Sequence, residues 1–530
     1  MINIFKNLLV FLGRVRVSFY KFFIKGIKMD KPKVYFMDAR SESPDTSLIN
    51  KTVTVFEAAG FDKMINKGDV VAIKMHCGEL GSSAYIRPAY VRAIADKIKE
   101  LGGRPFACDT TTQTYGTWGS RVTELDLVET AERNGFSSAT LGCPFLSADG
   151  YVGTSDYRVD IPEGYLLKEA YIAQAIAAAD KTIVLTHFKG HGMGVIGGAL
   201  KNLGIGCQSK RGKFNVHMGR HPEYGIGDST VFHPENFKGK EADPDWELLE
   251  NCCPLGLFKV TDNDELLWER EKCINCLGCG SWMNPRGIFE PNLANFDATD
   301  IAIGDAALGV IKAVGRENIG FINVAVDVSP KCDCAGFSDL PLVPHLGVFA
   351  SKDPVAIDQA CVNAAMNAPG TPGSLAEEMG IDAPGERKFD LGGGAIEGLS
   401  EQTTINTAVV NGLGSREHEL VHAQPLGRDR FAFPPDPRPT KVRFAKMFEK
   451  FQPFPFDKHN GRGYNRLDKV DIDAVKGDDI NVDPHSHQDA AYHGDGGWHP
   501  GDDDPSYLPK ENGSSPNGKT SKKDSKAKKE

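Results

Sequence analysis

The chain has 530 residues, with 61 Lys+Arg against 71 Asp+Glu and a formal net charge of −10. That acidic balance excludes general nucleic-acid binding, which needs a basic face to displace counterions. No uncharged apolar run reaches the roughly 18 residues of a membrane-spanning helix, and 12 Cys are too sparse for a disulfide scaffold.

Residues 1–29 carry Lys6, Arg14, Arg16, Lys21, Lys25 and Lys28 and no acidic residue. On a helical wheel Phe5, Leu8, Leu9, Leu12, Val15, Phe19, Phe22 and Phe23 share one face. This is the pattern of a basic amphipathic helix lying on an anionic membrane surface; it makes a poor signal peptide, and an untidy N-terminus with the true start at Met29 is the plainer alternative. From Lys33 strands and helices alternate. Strands are predicted at Lys33–Met37, Val70–Met75, Pro105–Asp109, Lys181–Phe188, Ile319–Val328 and Leu346–Ala350. Helices are predicted at Arg87–Leu101, Val122–Asn134, Ala170–Ala179, Ala298–Val314 and Pro354–Met366. Such alternation implies an α/β fold, a mainly parallel sheet with helices on both faces. It stops near residue 215 and resumes near 297. The expected organisation is therefore an α/β body over 31–215 and 297–425, an α+β ferredoxin-like insert over 216–296, and a largely disordered tail over 426–530. That tail is rich in Pro, Asp, Gly and Lys, with one short helix at Lys441–Phe451. His485, His487, His493 and His499 in it read as solvated.

The strongest chemical signal is Cys273-Ile-Asn-Cys276-Leu-Gly-Cys279. Structural zinc uses separated Cys-x-x-Cys pairs, whereas three cysteines at this spacing wrap one corner of an iron–sulfur cluster. In two-cluster ferredoxins the Cys-Pro of one repeat ligates the cluster of the other. Here Met283-Asn284-Pro285 stands where the second repeat's Cys-Pro would fall, and Cys253-Pro254 lies upstream. Asp243, Trp246 and Leu249 occupy the positions of a lost first set. The expected result is one 4Fe-4S cluster on Cys253, Cys273, Cys276 and Cys279, with Cys252 as rival donor; a zinc site or an empty relic are the alternatives.

A second pair, Cys332-Asp333-Cys334, follows a predicted strand, and Cys77 and Cys108 follow two others. Ligands of open parallel sheets bind beyond the carboxyl ends of strands. A second metal or cluster on Cys332 and Cys334, joined by those thiols, is therefore one reading, and buried small residues the other. The same rim collects Lys74, His76, Asp109, His187, Lys189, His191, Lys201 and Asn202 as candidate catalytic groups. The glycine-rich turn into a helix at Gly197–Asn202 reads as an anion site.

Taken in order, Val71-Ala72-Ile73-Lys74-Met75-His76, Ala84-Tyr85-Ile86-Arg87-Pro88, His187-Phe188-Lys189-Gly190-His191, Gly198-Ala199-Leu200-Lys201-Asn202-Leu203-Gly204, Cys332-Asp333-Cys334 and Ser351-Lys352-Asp353-Pro354-Val355-Ala356-Ile357-Asp358 resemble the uncharacterised iron–sulfur centre proteins of domain-of-unknown-function family 362. The resemblance covers about residues 31–420. It implies an iron–sulfur protein with an α/β body and a ferredoxin-type insert after the Lys-Asn-Leu-Gly segment, but no particular reaction. Two departures stand out: the insert keeps roughly half of its cysteines, and His345 replaces an expected acidic residue.

The leading functional expectation is a cytoplasmic redox protein, peripheral on the inner membrane face where residues 1–29 engage it. It would relay single electrons from a carrier protein to a rim site that takes a metal or a small anionic ligand. The alternative is a non-enzymatic metal or iron–sulfur scaffold with a structural cluster. A hydrolase or transferase is disfavoured by the absence of a nucleophile elbow, an H-E-x-x-H helix or a kinase motif set.

Overall fold

The computed structural model describes residues 30–113, 119–217, 230–392, 399–427, 445–447, 449–450 and 469–471. The expected surface helix over 1–29 and most of the tail, with its histidines, lie outside them; of the predicted tail helix, 445–447 and 449–450 are helical. Met1–Arg40 with Ser47–Gly427 forms one contact unit, and Ser41–Thr46 with Arg428–Glu530 another. In the second, Pro44–Thr46 is a single 3-10 turn, tied by a hydrogen bond from Ser43 Oγ to Asp45 Oδ1 at 2.6 Å. Everything below concerns the first.

Its centre is an eight-stranded sheet. In chain order the strands are β1 (Lys33–Asp38), β2 (Val70–Lys74), β3 (Arg104–Asp109), β4 (Phe145–Ser147), β5 (Lys181–His187), β6 (Ile319–Ala325), β7 (Gly347–Ser351) and β8 (Glu419–His422). Their order across the sheet is β8-β1-β7-β6-β5-β2-β3-β4. All neighbours run parallel except β7, which is antiparallel to both β1 and β6. β5 and β6 pair directly, Leu185 opposite Ile322, so the segments before and after the insert share one sheet.

Alternation along the strands separates two cores. Val71, Ile73, Ile183, Leu185, Ile322 and Val324 pack with Val55, Phe56, Tyr90, Val91 and Ile94 of helices α1 (Leu48–Ala58) and α2 (Pro88–Glu100). Ala72, Val184 and Phe321 face the other way, onto α4 (Leu293–Val314), α5 (Pro354–Asn367) and α6 (Thr403–Val410). A short α3 (Lys210–His217) lies against α4. The mixed α/β body with a large, mainly parallel sheet thus stands. The described residues hold no helix long and apolar enough to cross a membrane.

Several elements differ from expectation. Glu169–Ala173 is a strand paired antiparallel with Asp156–Asp160, and only Gln174–Ala177 is helical. The alanines there read as helix formers, yet their small side chains serve close packing: a Cβ on Gly309 of α4 would stand 2.4 Å from Ala170 Cβ. β7 breaks the parallel pattern because it enters from a loop rather than from a crossover helix. Helix α1 and edge strand β8 were not predicted.

Residues 230–291 build two small antiparallel pairs, Thr230–Phe232 with Phe289–Pro291 and Phe258–Val260 with Leu266–Trp268. They enclose a separate core of Phe237, Leu249, Phe258, Val260, Leu266, Met283, Ile288 and Phe289. Trp246 packs against it, and Asp243 pairs with Arg286 at 3.0 Å.

One close approach sets the position of the segment after β5. A Cβ on Gly204 would lie 2.2 Å from the Ile303 carbonyl oxygen of α4, a separation that backbone cannot relieve cheaply. Gly204→Ala should therefore cost about 3 kcal/mol in urea denaturation; a variant as stable as the parent would contradict this packing.

Candidate functional site

The carboxyl ends of β2, β3 and β5, with the loop after β6, surround a cavity of about 250 Å³. Its lining includes His76, Asp109, His187, Lys189, His191, Lys201, Asn202, Cys332 and Cys334, so most of the predicted rim residues meet there. His217, which the sequence groups with His187 and His191 as a possible acid/base or metal-ligating residue, lines it too, as do Arg121, Lys213, Leu277 and Thr299, which the sequence does not single out.

Lys74 does not line this cavity. Its ammonium is fully buried beneath it, donating to the Met75 carbonyl at 2.6 Å, Asp109 Oδ1 at 3.0 Å and Asn202 Oδ1 at 2.9 Å. It therefore positions Asp109 and Asn202. Burial works against the Asp109 charge, but the Lys74 and Arg121 cations overcome it and hold the carboxylate below its ordinary range. The amides of Cys77 and Thr110 also donate to Asp109, at 3.2 and 2.9 Å. Arg121 is paired in turn with buried Glu79 at 3.1 Å. Burial and then Arg121 push His76 down to about 3, so its ring is neutral, with Nδ1 accepting from the Gly78 amide at 3.0 Å.

Cys77 and Cys108 do not reach the rim. Both are fully buried, each in a different hydrophobic core, and burial pushes both thiols up. They are structural, which corrects the expectation that they would join the second pair.

The Cys332-Asp333-Cys334 loop is a tight turn, closed by the Ala335 amide donating to the Cys332 carbonyl at 2.9 Å, and the Cys334 amide donates to Cys332 Sγ at 3.4 Å. Asp333 turns inward, meeting His187 Nδ1 at 2.8 Å and Lys189 Nζ at 3.0 Å, and the two sulfurs consequently face the cavity. Burial opposes the Asp333 charge, yet His187 and Lys189 bring it down to about 2. Cys332 is favoured as thiolate: Cys334 hydrogen-bonds to it, and Lys201, His191 and Lys189 outweigh its burial. His191, Cys332 and Cys334 bring their ligand atoms within 4.8 Å of one another, the spacing one metal ion needs. His191 Nδ1 accepts from the Met193 and Gly194 amides at 3.1 and 2.7 Å. In this arrangement the ring proton sits on Nε2, which lies 3.7 Å from Cys334 Sγ.

The anion site expected at the glycine-rich turn is filled by the protein itself. Asp358 of α5 accepts from the Ala199 and Leu200 amides at 2.7 and 2.9 Å, and from Asn323 Nδ2 at 2.8 Å. A Cβ on Gly198 would stand 2.4 Å from that carboxylate, so glycine is required there. Burial, opposed by these hydrogen bonds, pushes Asp358 up to about 6.

A second, smaller cavity is lined by Cys253, Cys273, Cys276 and Cys279, together with Leu255, Phe258, Trp268 and Leu277. Cys252 is not part of it; its thiol donates to the Leu249 carbonyl at 3.2 Å, and burial raises it to about 12. The single-ion spacing seen at His191, Cys332 and Cys334 is not met by these sulfurs. Asn275 and Leu277 adopt left-handed φ of 57° and 61°, which rolls the loop, and the Asn275 amide donates to Cys273 Sγ at 3.4 Å. Four sulfurs line this one cavity, with an amide turned on one of them, and are the residues there that could hold a metal centre. The loop also touches the first cavity. Leu277 lines both, and Asn275 Nδ2 donates to the His217 carbonyl at 2.8 Å.

His345, the departure noted in the sequence, is surface-exposed and accepts from the Asp327 amide at 3.1 Å through Nδ1. Asp327 in turn pairs with Arg87 at 2.6 Å.

The comparisons agree with the motif order. The family model described as "Domain of unknown function (DUF362)" matches residues 71–363, more than half of the chain. The chain therefore belongs to that family. No curated protein matches it. Among solved structures it is similar to the lactate racemase apoprotein from Thermoanaerobacterium thermosaccharolyticum, at 12% identity and a TM-score of 0.27. That match covers 56% of this chain and 51% of that one, a likeness too slight to bear on the chemistry.

The Asp333 geometry makes a pH-dependent expectation. A carboxylate lowered in the folded state contributes stability above its unfolded value near pH 4, and loses it as pH falls toward 2. Asp333→Asn should be about 2 kcal/mol less stable than the parent at pH 7, and the gap should close between pH 4 and 2. Urea denaturation across that range measures it; a gap independent of pH would contradict the ion-pair account.

Proposed function

We propose that this DUF362 chain is an iron–sulfur electron-transfer protein. Cys253, Cys273, Cys276 and Cys279 hold one 4Fe-4S cluster, and Cys332 and Cys334 hold a metal ion as a second centre at the sheet rim. The observation that carries the reading is Leu277: lying between two of the ligand cysteines, it lines both cavities. When bound, the cluster supplies one electron at a time. The chain's own residues do the rest. Cys332 and Cys334 face the cavity because Asp333 is held inward. His191 keeps a proton on Nε2 beside the Cys334 sulfur, where incoming negative charge would be balanced. Lys201 and Lys189 favour thiolate at Cys332. An electron-carrier protein on the insert side and a small anionic ligand in the larger cavity are the partners this arrangement calls for. The expectations of a cytoplasmic location and of membrane contact through residues 1–29 remain part of the proposal.

A second reading has its own support. The core of the insert is small, and Cys252, Cys253 and Cys279 pack directly against it. A cluster there would staple a unit with little apolar area to bury, as structural metals do in other small units. A midpoint potential separates the readings, since a cluster that cannot be reduced at physiological potentials is a staple and not a relay.

Anaerobic purification with iron and sulfide analysis should give about four irons per chain, with an electron paramagnetic resonance signal on reduction. Cys253→Ser should abolish or convert the cluster, while Cys252→Ser should leave its spectrum nearly unchanged. Zinc in place of iron, or the reverse behaviour of these two variants, would overturn the ligand assignment.

A further inference from the structure

The charges around the larger cavity cancel in pairs. Lys74 faces Asp109, Arg121 faces Glu79, and Lys189 faces Asp333. Lys213 is committed to Thr110 Oγ1 at 2.7 Å and the Gln208 carbonyl at 2.8 Å. Lys201 is different: among the described residues it makes no hydrogen bond or ion pair, although it lines the cavity, and it acts on the Cys332 thiolate only through space. Asp300 on α4 feels the Lys201 charge but makes no hydrogen bond or ion pair with it: both Asp300 oxygens are buried without a hydrogen-bond partner.

Two further lining groups are unsatisfied. Thr299 is fully buried and its Oγ1 has no partner, and His217 Nδ1 is shielded and has none either. Orphaned buried polar atoms are uncommon and point to a missing partner. Here that partner would sit in the cavity, and the walls around it include the apolar side chains Ile205, Ile303 and Leu277.

We propose that the cavity binds a small monocarboxylate, its carboxylate held by Lys201, Thr299 and His217 and its apolar part against Ile205, Ile303 and Leu277, on the cavity that also holds Cys332 and Cys334. One unpaired ammonium with two uncharged partners matches one negative charge. A phosphate dianion would need the cations that Asp109, Glu79 and Asp333 already occupy. The glycine-rich helix start offers no competing anion site, since Asp358 fills it. The inference deepens the electron-transfer reading by naming what the rim site takes, and rests on that reading only for the ligand's relation to the second centre.

Isothermal titration of the full chain at pH 7 with sodium propionate, propionamide and sodium phosphate tests it. Propionate should bind at least tenfold tighter than propionamide, its uncharged analogue, and tighter than phosphate. Lys201→Met should remove the preference for propionate over propionamide, and Lys201→Arg should restore most of it. Thr299→Val, a nearly isosteric change that keeps the core filled, should weaken propionate several-fold and guards against a Lys201 variant that does not fold. Equal binding of propionate and propionamide, a preference for phosphate, or unchanged binding in both Lys201→Met and Thr299→Val would overturn the proposal. Propionate binding by a chain whose cluster shows no reducible signal would sink the electron-transfer reading alone. A reducible cluster with no propionate binding would sink the carboxylate site alone.

Discussion

One buried ammonium ties the rim together. Lys74 ends β2, and its Nζ reaches across to Asp109 at the end of β3 and to Asn202 in the segment after β5. A charge taken out of water is costly unless it is paired and fully hydrogen-bonded. Lys74 meets both conditions with Asp109, Asn202 and the carbonyl of Met75. The arrangement fixes three separate chain segments to one another at the point where the sheet opens. Asp109 then holds the start of the Cys77 loop and faces Arg121, which brings Glu79 into the same network. Within this network each charge has a counterpart already built in.

Against that neutralised frame the reactive groups are the exceptions. Cys332 and Cys334 face inward to the cavity because their neighbour Asp333 is spent on His187 and Lys189. The cysteine-rich insert has its own small core, yet its loop is not remote: Asn275 is bonded to the backbone of His217, and Leu277 forms part of the cavity wall. The cavities that hold the two thiol groups therefore have a lining residue in common, Leu277, contributed by the insert.

Much of this was legible in the sequence, for physical reasons. The β-branched runs at Val70–Lys74, Lys181–His187 and Ile319–Ala325 announce buried parallel strands, and residues just past such strands gather at one edge. That is why His76, Asp109, His191, Lys201, Cys332 and Cys334 could be grouped without coordinates. What stayed hidden depends on long-range partners. Lys74 looks like a rim cation until Asp109 and Asn202 are seen to consume it. The turn at Gly198 looks like an anion site until Asp358, 159 residues away from Ala199, is found in it. Thr299 carries no motif; only its unmet hydrogen bond marks it. The strand at Glu169–Ala173 was read as helix because alanine composition hides a two-residue period when the neighbouring helix demands small side chains.

The inward turn of Asp333 bears on how such a chain can drift over time. The two sulfurs belong to one turn, closed by the Ala335 amide on the Cys332 carbonyl, within which the Cys334 amide donates to the Cys332 sulfur. Identity at the middle position can vary in principle wherever His187 and Lys189 change in step, since its task is to answer their charge. Length cannot vary so freely: one residue gained or lost between Cys332 and Cys334 would break the register of the hydrogen bonds that close the turn. The spacing of this pair is thus a stricter inheritance than the residue it encloses, and lineages should preserve the gap even where they rewrite its content.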